Sequence, residues 1–257
     1  VDTERLLEKT TVEGGSDPAA VPLQQASVRI HEELVCMIRK LVFVHTVGSL
    51  VTLFDRLAQE LLPNDVKPVH VADELLLSVV LEADGLTPQA YRMVNAHATA
   101  AEEAGASWVQ LTCSSISPCA DVARKLVGIP VLKIDEPMID QAIGLGRRVG
   151  IAATVRTTLG PTQQLVEMRA SALGRGVTVD PVLCPGAYEA LQAGDAETHD
   201  RIVREALVQL GVRNDVVVLA QASMARVADT IAPEEQVVPI LSSPRLAMEH
   251  LARVTSG

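Results

Sequence analysis

The feature of this sequence that most constrains its fold is an internal repeat with an offset of 108 residues. Thr46 and Thr154 stand 108 positions apart, and each follows an apolar run and precedes a valine. The segment 111–115 matches the segment 219–223 at the same offset, with the same first and last residue. A repeat of this length is too long for a solenoid, so it predicts two duplicated domains.

The two copies of the repeat differ at the position of one cysteine. The first copy carries Cys113 in the run Leu111-Thr112-Cys113-Ser114-Ser115, and the second copy carries Gln221 at the equivalent place. Binding sites often form between two domains, so these two residues are expected at facing ends of one cleft. The sequence therefore predicts an asymmetric site, with a thiol from one half and an amide from the other.

Apolar runs alternate with helical patterns from residue 41 onward. The chain is 48% hydrophobic but only 2% aromatic, so its core must consist of aliphatic side chains, which suit buried parallel strands. Alternating strands and helices predict parallel sheets with right-handed crossovers. The predicted strands are 41–45, 66–71, 108–112, 131–134, 149–153, 177–183, 216–220 and 237–241, and examples of the predicted helices are 50–62, 88–104, 158–173 and 196–210.

The predicted fold class is α/β, with two tandem pseudo-symmetric lobes. Each lobe is expected to hold a four-stranded, mainly parallel sheet with flanking helices, and the functional site is expected in the cleft between the lobes. Residues 38–147 form the predicted N-terminal lobe and residues 148–257 the C-terminal lobe. Residues 1–37 contain more acidic than basic residues and a Gly-Gly-Ser-Asp-Pro run, which predicts a disordered leader.

Composition and spacing argue against several function classes. A net charge of −10 without a basic stripe argues against binding to nucleic acid or an anionic membrane. No apolar stretch approaches the roughly 20 residues that span a bilayer, and the spacing of the four cysteines indicates free thiols in the cytoplasm. The six histidines form no metal-binding motif, so no metal site is predicted. The expected partner is a small molecule, and assembly with identical chains is left open.

Polar residues directly follow the predicted strands. In open parallel sheets ligands bind beyond the carboxyl ends of the strands, so these residues are the candidates for the site. They are mainly small hydroxyls and thiols, which suits a small anion held by hydroxyl groups and helix N-terminal amides. The candidates are His45, Thr46, Ser49, Cys113, Ser114, Ser115, Thr154, Thr157, Cys184, Gln221 and Ser223.

Two of the four cysteines are candidates for chemistry. A helix beginning near Pro118 would favour the thiolate of Cys113 through the helix dipole. The alternative is a buried cysteine that packs as a small hydrophobe. Cys184 precedes Pro185 at another strand-to-helix junction and is either a cleft residue or a structural thiol. Cys119 is expected to be a packing residue.

Together, these motifs resemble those of the aspartate/glutamate/hydantoin racemase superfamily over about residues 38–257. The resemblance rests on the order and spacing of the segments 45–47, 111–115, 150–154 with 157–158, and 217–225. It implies cofactor-independent proton transfer at a carbon next to a carboxylate or carbonyl group of a small acid, with thiols on both faces of the substrate. Cys113 matches the first of these thiols.

The resemblance also implies that hydroxyl and backbone N–H groups stabilise the charge that develops on the substrate. The matching anion-binding positions are Thr46, Ser114, Ser115, Thr154 and Thr157. The chain departs from the family pattern at the second thiol, because Gln221 stands there and glutamine has no acid–base function near neutral pH. Either Cys184 supplies the second thiol or the protein works with one.

Three functional hypotheses follow. The leading one is a racemase, epimerase or isomerase of a small carboxylate, similar to the amino-acid racemases, with Cys113 as acid/base and Cys184 as its partner. The second is a lyase that decarboxylates a malonate-like acid with Cys113 as the sole proton donor. The third is a protein without catalytic activity that binds a small anion in the cleft.

Overall fold

The structure is a computed structural model that describes residues 38–232 and 234–256. Within these ranges the strands are β1 (Arg39–His45), β2 (Val66–Ala72), β3 (Ala106–Leu111), β4 (Val131–Lys133), β5 (Arg148–Ala153), β6 (Thr178–Leu183), β7 (Val216–Leu219) and β8 (Ile240–Ser242). The α-helices are α1 (Leu50–Leu61), α2 (Glu74–Glu82), α3 (Pro88–Glu103), α4 (Ala120–Ala123), α5 (Glu136–Leu145), α6 (Arg156–Ala172), α7 (Ala187–Gln192), α8 (Ala196–Arg213), α9 (Ala225–Ala228) and α10 (Ser243–Thr255). None of these helices in the described ranges combines the length and apolar character needed to cross a bilayer. The predicted leader, residues 1–37, lies outside the described residues.

The strands form two four-stranded parallel sheets, with the orders β2-β1-β3-β4 and β6-β5-β7-β8. This arrangement confirms the predicted α/β fold with two pseudo-symmetric sheets. Val44 of β1 pairs with Leu111 of β3, and Ala152 of β5 pairs with Leu219 of β7. The two pairs are related by 108 positions, so the sequence repeat corresponds to the central strands of the two sheets.

The two strands β1 and β5 are buried along most of their length. Residues 41–45 and 149–153 have buried side chains. Helices cover both faces of a parallel sheet, so its central strands carry continuous apolar runs. A local cap begins α3, where Thr87 Oγ1 accepts the Ala90 N–H (3.2 Å) and Pro88 occupies the first turn.

The last strand differs from its prediction. The apolar run predicts a strand at 237–241, but β8 begins at Ile240. The Val217 N–H bonds to the Pro239 carbonyl (2.9 Å) where the pairing with β7 starts. β8 is an edge strand whose one neighbour, β7, has only four residues, so Val237 lies outside the sheet and is 61% exposed. The other seven predicted strands overlap the observed ones.

Each half of the chain contributes a helix that packs against the sheet of the other half. Met138 of α5 packs in the same hydrophobic cluster as Ile151 of the second sheet. Met248 of α10 likewise packs in the same cluster as Phe43 of the first sheet. Because each sheet is covered in part by the last helix of the other half, burial of apolar surface holds the two sheets together. The predicted boundary after residue 147 falls between α5 and β5 and stays a prediction.

Candidate active site

A cleft of about 280 Å³ lies beyond the carboxyl ends of the strands, where segments from both sheets meet. Open parallel sheets bind their ligands at this edge. Segments that follow all eight strands contribute to it, four from each sheet. The residues that line the cleft are Thr46, Val47, Ser49, Leu50, Leu77, Leu81, Thr112, Cys113, Ser114, Ser115, Ile134, Val155, Thr158, Tyr188, Leu191, Gln192, Ala220, Gln221, Ala222, Ser223 and Ser243.

The structure brings most of the candidate residues to this cleft. Those that line it are Thr46, Ser49, Cys113, Ser114, Ser115, Gln221 and Ser223. Those outside its lining are His45, Thr154, Thr157 and Cys184. Among the candidate residues, only the seven that line the cleft are placed to contact a ligand there directly.

Cys113 presents a partly exposed thiol to the cleft. The Thr112 N–H bonds to the Val44 carbonyl (3.1 Å), which extends the pairing of β3 with β1 up to the residue before the cysteine. The chain then turns, and the Ile116 N–H donates to the Cys113 carbonyl (3.2 Å). The expected helix is a 3₁₀ turn, Ser117–Cys119, followed by the four-residue α4. The amides nearest the thiol therefore belong to a turn and not to the start of a long helix.

A buried carboxyl group supports the turn that carries the thiol. Ser117 Oγ donates to Asp135 Oδ1 (3.0 Å) and lies 3.4 Å from the Cys113 carbonyl oxygen. Asp135 directly follows β4 and is 1% exposed. Burial raises the pKa of its carboxyl group to about 6. Asp135 directly follows the predicted strand 131–134 and is one of the polar residues at the predicted strand ends, but it is not among the candidate residues chosen from them.

Cys184 does not present its thiol to the cleft, which corrects the expectation of a second thiol there. Its N–H bonds to the Ala153 carbonyl (2.7 Å) and extends the pairing of β6 with β5. Its side chain is 1% exposed and packs in a hydrophobic cluster with Val203 and Leu207 of α8. This burial raises the pKa of the Cys184 thiol to about 11, so the thiol is neutral near pH 7.

Gln221 occupies in the second half the place that Cys113 occupies in the first. The Ala220 N–H bonds to the Ala152 carbonyl (2.9 Å), in the same way as the residue before Cys113 bonds to β1. The Gln221 amide is held by Thr154: its Oε1 accepts the Thr154 N–H (2.6 Å), and its Nε2 donates to Thr154 Oγ1 (2.7 Å). Thr154 is expected to bind an anion, but the structure uses both of its polar groups to link the ends of β5 and β7.

A hydrogen bond between two side chains joins the two halves of the chain directly. Ser115 Oγ donates to Thr157 Oγ1 (3.2 Å), and both side chains are buried. Ser115 still lines the cleft, whereas Thr157 lines an adjoining groove. The pair therefore fixes the two halves against each other at the edge of the site.

Thr46 is the hydroxyl group best placed for a ligand. It lines the cleft and is 1% exposed. Its Oγ1 has no hydrogen-bond partner among the described residues. A buried hydroxyl without a partner is uncommon because it costs free energy. An oxygen atom of a ligand in the cleft would supply the missing hydrogen bond.

A chain of hydrogen bonds runs from the cleft into the first half. Thr112 Oγ1 and His45 Nδ1 lie 2.8 Å apart, and His45 Nε2 and His70 Nδ1 also lie 2.8 Å apart. His70 Nε2 then lies 3.0 Å from Asp55 Oδ1. Burial, together with the charge of His70, lowers the pKa of His45 to about 4. His45 is therefore neutral near pH 7 and, instead of lining the cleft as expected, contacts the lining residue Thr112.

One wall of the cleft is apolar and is not among the predicted residues. Leu77 and Leu81 lie one turn apart on α2, and Tyr188 and Leu191 lie on α7. Leucines at positions i and i+4 are typical of the core-facing side of a helix. Nothing in the sequence therefore distinguishes these side chains from ordinary core residues.

Other parts of the described structure carry less chemistry. A second cavity, of about 270 Å³, is lined by residues 143–147 and 174–177. These segments precede β5 and β6, so this cavity lies at the amino ends of the strands, away from the edge where parallel sheets bind ligands. Among the described residues no three His, Cys, Asp or Glu side chains come together in a way that could hold a metal ion.

Comparisons with known proteins agree with this architecture. A family model described as Asp/Glu/Hydantoin racemase matches residues 45–251. Glutamate racemase from Francisella tularensis subsp. tularensis SCHU S4, in complex with D-glutamate, is similar with a TM-score of 0.65 at 14% identity, over 85% of this chain and 81% of that chain. Allantoin racemase from Klebsiella pneumoniae is similar with a TM-score of 0.60 at 16% identity, over 85% of this chain and 88% of that chain. Glutamate racemase from Thermus thermophilus, in complex with beta-chloro-D-alanine, gives a TM-score of 0.61 at 17% identity, over 86% and 81% of the two chains. No curated protein matches the sequence.

Proposed function

Because the chain belongs to the Asp/Glu/hydantoin racemase family, we propose that it is a cofactor-independent isomerase that moves a proton at the carbon next to a carboxylate or carbonyl group of a small acid. Family membership supports the isomerase class, and Cys113 as the acid/base is part of the proposal. The observation that carries it is one partly exposed thiol in a cleft between two parallel sheets.

In the proposed reaction the Cys113 thiolate takes the α-proton of the substrate. The S–H bond forms as the C–H bond breaks, and the electron pair moves onto the neighbouring carbonyl oxygen to give an enediolate. Return of that proton by the thiol regenerates the substrate, whereas a proton from water on the opposite face gives the inverted product, and the hydroxide left behind takes the proton of the thiol to form water again. In both cases the enediolate becomes a carboxylate again, and no oxidant or reductant is needed.

Neutral hydrogen-bond donors are proposed to stabilise the enediolate. The Thr46 hydroxyl has no partner among the described residues, and the hydroxyls of Ser49, Ser114 and Ser223 line the same cleft. Donors held in place by the fold stabilise developing charge without the reorganisation that water requires. The apolar wall strengthens this effect, because electrostatic interactions are larger where water is excluded.

One thiol is expected to act, not two. Cys184 is buried outside the cleft, and Gln221 at the equivalent strand end has no acid–base function near neutral pH. Removal and return of the proton on one face exchanges the α-hydrogen with solvent without inverting the carbon. Inversion needs a proton from the other face, where water must replace a positioned acid. We therefore expect exchange to be about 100-fold faster than loss of optical activity.

The test is α-hydrogen exchange in D₂O, followed by NMR on a panel of amino acids, hydantoins and 2-substituted carboxylates. Cys113→Ser keeps the size of the side chain and is expected to lower the exchange rate by about 100-fold or more. Cys184→Ala is the matched control and is expected to leave the rate unchanged. Full activity of Cys113→Ser would refute the proposal, and ligand binding without exchange would favour an anion-binding protein.

A second variant tests the number of thiols. Gln221→Cys places a thiol at the position equivalent to Cys113, one repeat further along the chain. If a single thiol limits inversion, loss of optical activity should approach the exchange rate in this variant. A folded variant with the same ratio of the two rates as the natural chain would contradict the single-thiol hypothesis.

The same single thiol favours one alternative, a lyase acting on a malonate-like acid. After CO₂ leaves such an acid, one protonation of the enediolate by Cys113 completes the reaction, and no group on the opposite face is needed. Release of CO₂ from phenylmalonate, without α-hydrogen exchange in the panel above, would favour this alternative over the isomerase.

A further inference from the structure

Apart from the Cys113 thiolate of the proposed reaction, the cleft is lined by residues without a formal charge. Among the described residues that line it, none is Asp, Glu, Lys, Arg or His. A substrate ammonium group would find no carboxylate there, and a second substrate carboxylate would find no cation. Removing such a charge from water without an opposite charge is costly.

The two carboxylates that follow β2, Asp73 and Glu74, form hydrogen bonds within the protein. Glu74 Oε1 accepts the Gly48 N–H (3.0 Å). Asp73 pairs with His97 of α3 (2.8 Å) and also accepts a hydrogen bond at the start of α2. These two carboxylates directly follow β2, yet neither lines the cleft.

An adjoining groove holds the charges that the cleft lacks. Its lining includes Arg156, Asp84 and Glu189. Leu81, Val155 and Tyr188 line both the groove and the cleft. The charged residues belong to the lining of the groove and not to that of the cleft.

The leucines that line the cleft suit an apolar group of a ligand. Leu77 and Leu81 of α2 and Leu191 of α7 line the cleft, and all three are only partly buried by the protein itself. Partly exposed leucines in a concave site gain free energy when a ligand covers them. The unpartnered Thr46 hydroxyl, in contrast, needs a polar atom.

We propose that the substrate carries one polar head group, with at most one negative charge, next to the reacting carbon, and an apolar substituent that packs against Leu77, Leu81 and Leu191. Dicarboxylic amino acids such as aspartate and glutamate are then poor substrates. This inference rests on the proposed function for its chemistry. Its selectivity rests on the side chains that line the cleft.

Three acids with a phenyl group on the reacting carbon test this selectivity. 2-Phenylpropanoate carries a methyl group on that carbon, phenylglycine carries an ammonium group in its place, and phenylsuccinate carries a carboxymethyl group. We expect kcat/KM for α-hydrogen exchange in D₂O to be at least about 100-fold higher for 2-phenylpropanoate than for the other two acids. Binding of each acid is measured independently by isothermal titration calorimetry.

The outcomes separate the inference from the proposed function. Equal or faster exchange of phenylglycine, phenylsuccinate, aspartate or glutamate overturns the inference and leaves the function intact. Exchange of none of the acids, with 2-phenylpropanoate still bound more tightly than the other two, supports the selectivity and overturns the function. Failure of 2-phenylpropanoate to bind at millimolar concentration overturns the inference.

Variants on α2 test the proposed wall. Leu81→Arg introduces a cation and is expected to shift the preference at least about tenfold toward phenylsuccinate. Leu75→Arg is the matched control, because Leu75 lies on the same helix, is 64% exposed and does not line the cleft. If Leu81→Arg does not fold, Leu77→Asn is expected to weaken binding of 2-phenylpropanoate about tenfold. Unchanged binding of 2-phenylpropanoate in folded Leu77→Asn overturns the inference. Loss of phenylsuccinate binding in Arg156→Ala also overturns it.

Discussion

Replacing Gln221 by methionine would remove the amide that joins β5 to β7 while keeping the length of the side chain. Gln221 makes two hydrogen bonds with Thr154, of 2.6 Å to the N–H and 2.7 Å to Oγ1. Thr154 is 6% exposed, so its N–H has little access to water after the substitution. Two lost hydrogen bonds cost about 1 kcal/mol each, and the unpaired buried N–H adds about 1 kcal/mol. We therefore expect the free energy of unfolding to fall by about 3 kcal/mol.

The assay is urea unfolding, with the loss read from the midpoint at an unchanged m-value. Gln192→Met is the matched control, because Gln192 also lines the cleft but is exposed, and its Nε2 bonds only to the Tyr188 hydroxyl (2.8 Å). The control should cost less than about 0.5 kcal/mol. A double-mutant cycle of Gln221→Met with Thr154→Val should give a coupling energy of about 1 kcal/mol. A Gln221→Met loss no larger than that of the control would refute the argument.

Three further predictions concern buried polar groups. Because burial lowers the pKa of His45 from 6.5 to about 4, its contribution to stability should be complete above pH 6.5 and lost, by about 3 kcal/mol, toward pH 4; in urea unfolding, the difference in free energy of unfolding between the natural chain and His45→Asn should fall by that amount over this range, and a constant difference would contradict the reasoning. The pKa of Asp135 is raised from 3.8 to about 6, so Asp135→Asn should gain up to about 3 kcal/mol above pH 6 and nothing below pH 3.8; a pH-independent gain would contradict this. Thr46→Val removes a buried hydroxyl without a partner, so it should raise the free energy of unfolding by about 1 kcal/mol but lower the α-exchange rate, and an unchanged rate would remove Thr46 from the mechanism.

The order of strands and helices could be predicted because it follows from local patterns. Continuous apolar runs such as 41–45 and 149–153 suit strands that are covered on both faces. The 108-residue repeat relates the two central strand pairs, and the rule that ligands bind at carboxyl strand ends selected Thr46, Ser114 and Cys113, which line the cleft. The strand at 237–241 shifted because its pairing depends on the length of β7, which its own sequence does not contain.

Side-chain partners could not be predicted in this way, because they depend on packing between distant segments. Cys113 and Cys184 both follow strands, but only the helices packed around each one decide that the first faces the cleft and the second a hydrophobic cluster. The pattern of leucines on α2 is that of a core-facing helix, and only the packing of α2 beside the cleft shows that Leu81 lines the site.

The sequence by itself determined two α/β units and the replacement of Cys113 in the first by Gln221 in the second, since the repeat and its apolar runs can be read from local patterns. Only the tertiary structure decided what that difference does. Gln221 meets Thr154, which lies 67 residues earlier in the chain, because the adjacent strands β5 and β7 bring their ends together. The amide is therefore bonded within the protein, and Cys113 is left as the thiol that the cleft presents.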